Sequence, residues 1–192
     1  MGFRLNAIFI TNLESISNEE LLDRIGLKGK EKWSATDFYG TNKQWDSIFV
    51  GTKNNCKIIC NGNLSHIAFE KDNPFLSLRN CEIASIVWNE TAGVFRFCLI
   101  KDGQIIRSMS AIDDEEIEEG FGTPIKEETE IKEDNLFDSK EVEEIIENEG
   151  IEYFKNLVKY EKICIAANNL AKRYIGVGLV EIQDRIEMIE YN

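Results

Sequence analysis

Short apolar runs of strand length recur through the first 112 positions, broken by a helix start and a loop, and a 3.6-residue apolar period takes over after residue 138. The segment FRLNAIFITN carries Leu5, Ala7 and Phe9 on one parity and Ile8 and Ile10 on the other. It therefore predicts a strand buried on both faces, inside a sheet. ISNEELLDRIG supplies a helix start: Ser17 and Glu20 have capping-box spacing, Ile16 and Leu21 can staple across it, and Gly26 stops the turn. Residues 27–44 are expected to be a loop, rich in Lys and Gly but holding Trp33, Phe38 and Tyr39, with Trp45 just beyond. SIFVGT and CKIICNG, separated by KNN, predict a hairpin, and NPFLSLRNC a short helix or turn.

The clearest β pattern runs over residues 83–111. Three apolar runs are separated by NETAG and KDG, which predicts an antiparallel meander with Asp102–Gly103 as one tight turn. Helical character begins at Asp138 and Glu141, again at cap spacing, with Val142, Ile145 and Ile146 as an apolar stripe. Gly150 interrupts that stripe, which resumes through Ile151, Phe154, Leu157 and Val158 and continues to Tyr174 before Gly176. The tail LVEIQDRIEMIEYN suits either a pair of strands or a helix. No repeat or Pro-rich linker divides the chain. The expected fold is a single α+β domain over residues 1–192, with a mainly antiparallel sheet and helices concentrated in the C-terminal third.

Composition supports a packed core: 43% of the 192 residues are hydrophobic and eleven are Phe. No window approaches a membrane span, and the N-terminal residues lack the apolar run of a signal peptide, so a cytoplasmic location is expected. Cys56, Cys60, Cys81, Cys98 and Cys164 are odd in number and lie mostly in apolar stretches, as reduced core thiols would. The net charge of −13 is concentrated. Ala111–Gly150 holds seventeen Asp and Glu against three Lys, and the rest of the chain is nearly neutral. A field of that kind disfavours nucleic acid and anionic membrane and favours a basic protein partner.

Candidate chemistry is sparse. His66, the only histidine, has no G-x-S-x-G elbow or other nucleophile context to serve, and is expected to be an ordinary structural or surface residue. Cys56 and Cys60 lie four apart on a predicted strand, about 13 Å, too far for shared ligation or a disulfide. The GFG and GVG triplets lack the strand–Gly-loop–helix setting of a phosphate site. DDEEIEEG is dense in oxygen ligands but lacks the alternating pattern of a calcium loop. Lys28, Lys30, Lys32 and Lys43 interleave with Trp33, Tyr39 and Trp45, a mixture that can bind single strands, but the global charge opposes it. No catalytic residue, metal site or cofactor is assigned.

The succession VFRFCLI, KDG, QIIRSMS, an acidic stretch and then GTPIKEE resembles a group of uncharacterised bacterial α+β proteins known as a domain of unknown function. Gly122, Pro124, Glu127 and Glu128 carry the last element. The resemblance spans residues 83–130, with LAKRYIGVGL as a second match, and some bacterial proteins of this size and acidity are similar to immunity proteins that neutralise partner toxins. It implies a bacterial cytoplasmic protein that binds a partner without catalysis. The expected docking face is Asp113, Asp114, Glu115, Glu116, Glu118, Glu119, Glu127, Glu128 and Glu130, with Phe121, Ile117 and Ile125 as apolar anchors. The same stretch also has a purely structural use: an acidic connecting segment over residues 111–138 that blocks edge-to-edge sheet pairing and keeps the protein soluble. Two rival readings are a small-molecule site or enzyme lined by the aromatics of Trp33–Trp45 with carboxylates, and a scaffold domain with solubilising charge only.

Overall fold

A computed structural model describes the chain except residues 1–2, 14, 28–30, 37, 39–40, 42–46, 113–115, 180–185 and 192. It describes 31–35 and 116–119 through their backbone alone. The strands are β1 (Arg4–Thr11), β2 (Glu31–Thr36), β3 (Ile48–Lys53), β4 (Cys56–Cys60), β5 (Glu82–Asn89), β6 (Val94–Lys101), β7 (Gln104–Ile112), β8 (Glu116–Gly122) and β9 (Met188–Tyr191). Among the described residues they form one nine-stranded sheet in the order β2-β9-β3-β4-β1-β5-β6-β7-β8. Every neighbouring pair is antiparallel.

The double-sided apolar pattern of β1 places it centrally, between β4 and β5. Leu5, Ala7 and Phe9 join one core, which helix α5 (Ile151–Ile175) covers with Ile163, Ala167, Leu170 and Tyr174. Ile8 and Ile10 join a second core on the opposite face, beneath α1 (Asn18–Arg24), α2 (Gly62–Ile67) and a short 3-10 turn at Pro74–Ser77. The two remaining helices, α3 (Lys126–Thr129) and α4 (Ser139–Glu149), precede α5. The fold is α+β with its long helix in the C-terminal third, as the periodicity predicts.

Local signals set the turns. Asn54 and Asn55 both take positive φ, as do Asp102 and Gly103, the geometry that two-residue hairpins require. Ser17 accepts the Glu20 amide at 3.1 Å, and Asp138 accepts the amides of Lys140 and Glu141 at 2.9 Å while the Glu141 carboxylate returns to the Asp138 amide. Two expectations need correction, and one segment left without an assignment gains one. The presumed loop over residues 27–44 contains β2, which pairs with β9 at the far end of the chain, a partner local pattern cannot announce. The segment after β4 folds as α2, capped by the Asn61 side chain on the Leu64 amide at 2.9 Å. The acidic connecting segment is itself structured: β8 is the outer strand and α3 follows it.

Candidate functional site

The acidic segment leaves β7 and returns as β8, so its carboxylates divide between the edge of the sheet and its interior. A bulge decides the division. Leu99 pairs with Arg107 and Ile100 with Ile105, so Ile106 is an extra residue and the strand's parity reverses there. Ile105 packs on the α1–α2 side, whereas Arg107, Met109 and Ala111 turn toward α5. Arg107 is buried, and its guanidinium donates to both oxygens of Glu128, Nε at 2.8 Å and Nη2 at 2.5 Å. Its Nη1 donates to the carbonyls of Phe121 and Gly122, each at 3.1 Å. Glu128 in turn accepts the Ile125 amide at 3.0 Å, which fixes the first turn of α3.

The two glycines of GFG serve this joint. A β-carbon on Gly120 would run into Met109 and Arg107, and one on Gly122, at φ +83°, would strike the Ile106 carbonyl. A second network lies beside it. Arg173 pairs with Glu82 and, at 3.2 Å, with Glu127, and the Tyr174 hydroxyl donates to Glu82 at 2.6 Å. Burial and the Glu82 carboxylate push the Tyr174 phenol well above its ordinary value.

Of the expected docking residues, Glu127 and Glu128 are thus engaged inside the protein, and Ile125 packs against the α5-side core. Phe121 is 60% exposed, and Glu130 is exposed beside its helical neighbour Lys126, at 3.6 Å. Glu116, Glu118 and Glu119 occupy the backbone of the outermost strand, and the side chains of 116–119 lie outside the described residues. Asp113, Asp114 and Glu115 lie outside them altogether. So do Tyr39 and Trp45 of the alternative aromatic pocket and the side chain of Trp33, while Phe38 is buried in the core.

Other reactive groups are held quiet by their surroundings. All five cysteines are free and buried. Burial raises the Cys56, Cys60 and Cys98 thiols to about 12, far from the thiolate a nucleophile needs. Among the described residues no three His, Cys, Asp or Glu side chains converge as a metal site would require. Buried Lys57 donates to Asn18 at 2.8 Å, Asn18 to the Tyr191 hydroxyl at 3.2 Å, and Tyr191 to Glu19 at 3.1 Å, a chain that ties α1 to β4 and β9. A groove of about 340 Å³ runs between α3 and α5 over Met109, Pro124 and Ile163, and a polar cleft of about 480 Å³ opens beside Glu82, Lys101, Asp102 and Arg173. No described helix is long and apolar enough to cross a membrane. Comparison with protein-family models, curated proteins and solved structures yields no match.

Proposed function

We propose that the chain is a non-enzymatic, cytoplasmic partner-binding protein of the immunity type, which docks a basic protein along the outer edge of its sheet. The observation that carries the proposal is the placement of β8. It is a terminal strand paired only with β7 among the described residues, it holds Glu116, Glu118 and Glu119, and it presents Phe121 to solvent. An anionic strand edge repels copies of itself and most acidic proteins, and it complements an extended basic segment. Clustered charge accelerates encounter, and an exposed aromatic holds the complex once formed. Glu127 and Glu128 drop out of this face because their charge is used internally. The docking set is therefore Asp113, Asp114, Glu115, Glu116, Glu118, Glu119 and Glu130 with Phe121.

The test is affinity capture from native lysate followed by binding kinetics on the captured protein. The wild type should recover a basic protein whose association slows steeply with added salt. Replacing Glu116, Glu118 and Glu119 by Gln should slow association and flatten the salt response, while Phe121→Ala should chiefly speed dissociation. Unchanged rates and salt response in the Gln variant would reduce the segment to a solubilising edge.

A further inference from the structure

A cavity of about 290 Å³ opens where α5 passes over the end of β5 and the start of β6. It shares no lining residue with the groove over Pro124 or the cleft beside Glu82. Three aromatic rings line it. Trp88 and Phe95 are directly paired in the β5–β6 register and meet edge to face, with centroids 4.9 Å apart at 79°. Tyr160 of α5 meets Phe95 in the same way, at 5.1 Å and 81°. Burial holds Trp88 and Phe95 in place. The Trp88 indole donates to Glu90 at 3.3 Å, and the same carboxylate accepts the Phe3 amide at 2.7 Å.

One wall carries a charge that the described residues do not answer. Glu161 lines the cavity half-buried, and its carboxylate has no hydrogen-bond or ion-pair partner among them. Two lysines of α5 are committed elsewhere, Lys155 to Glu152 at 2.6 Å and Lys162 to Glu133 at 2.7 Å. Burial raises the Glu161 carboxyl above its ordinary value. Burial, then the charges of Glu161 and Glu90, also raise the Cys164 thiol, so both carboxylates act on this one spot. A half-buried carboxylate without a cation costs stability, and such groups in clefts concentrate at functional sites.

We propose that this cavity binds a small quaternary ammonium ion. Aromatic rings attract a cation through their negative faces, and a methylated ammonium gives up its water readily against ring carbon. Glu161 supplies the countercharge, because Glu90 is already engaged by Phe3 and Trp88. A primary ammonium would bring three donors to a wall that is largely ring carbon. A hard metal ion would need about six oxygen ligands, more than this wall supplies. The site is separate from the β8 edge, and its test does not depend on a protein partner.

The experiment titrates the native protein at constant ionic strength with choline, with ammonium, and with the uncharged analogue of choline in which carbon replaces nitrogen. The readout is the Trp88 indole N–H resonance, one of three in the chain, assigned by its proximity to the Phe3 and Phe95 rings. Choline should shift it saturably. The uncharged analogue should need about tenfold more, since it keeps the shape and loses the charge. Ammonium should not saturate. Glu161→Gln keeps the shape of the wall and should weaken choline binding about tenfold. Tyr160→Leu removes a ring, leaves the charge, and should also weaken it about tenfold. If Tyr160→Leu does not fold, the wild-type titrations and Glu161→Gln decide. The proposal is overturned by no saturable response to choline, by an equal response to the analogue or to ammonium, or by unchanged choline affinity in Glu161→Gln.

Discussion

Arg107 shows how one side chain can organise a segment that composition alone paints as uniformly repulsive. Its guanidinium satisfies the Glu128 carboxylate and the carbonyls of Phe121 and Gly122, so β7, β8 and α3 meet on a single buried cation. Removing one member of such a pair leaves the other charge buried and unpaired. Arg107→Met should therefore cost about 3–5 kcal/mol in urea unfolding. A loss within that of an exposed pair, below about 1 kcal/mol, would show that the joint is held elsewhere. Glu161 gives the opposite case. Burial on α5 raises its carboxyl above the usual 4.5. The unfolded chain then releases its proton first, so stability falls as pH rises from 4.5 through the raised folded value. Glu161→Gln should be more stable than wild type at neutral pH, with the gap closing below pH 4.5. Parallel denaturation curves at the two pH values check it, and a constant gap would place the effect in packing.

At the scale of elements, the β7 bulge and the GFG turn act together. The extra residue Ile106 turns Arg107 and Met109 toward α5, and the space that Gly120 and Gly122 leave empty lets β8 lie against them. Gly122→Ala adds a left-handed backbone penalty of about 1–2 kcal/mol to a collision with the Ile106 carbonyl. The expected loss of at least about 2 kcal/mol should fall on β8 and α3 first, so hydrogen exchange should quicken there before it does in β5. Uniform quickening across the sheet would mean that β8 opens only with the whole fold.

For the whole molecule, two cores on either side of one sheet account for the thiols. Cys56, Cys60 and Cys164 lie in the α5-side core, and Cys81 and Cys98 in the other. A thiol reagent should label the native protein slowly and find five groups once the unreduced protein is denatured. Fewer than five would reveal a disulfide. Rapid native labelling would show that one of the cores opens readily.

Much of the architecture was legible in the residues themselves. The two-faced apolar pattern of β1, the cap spacings at Ser17 and Asp138, the paired Asn and Asp–Gly turns and the 83–111 meander all follow from interactions between near neighbours. The concentration of acidic charge in Ala111–Gly150 is likewise a property of the chain alone. Tertiary structure decided what no local window contains. β2 exists because β9, more than 150 residues later, supplies its hydrogen bonds. The carboxylates sort into inner and outer sets because a one-residue bulge reverses strand parity at Ile106 and brings Arg107 to Glu128, 21 positions away. Tyr160 and Glu161 join Trp88 and Phe95 around one cavity only because α5 packs across β6. Local pattern records which face a residue prefers. Which charges become neighbours depends on register and crossing, and those are set by contacts distant in the chain.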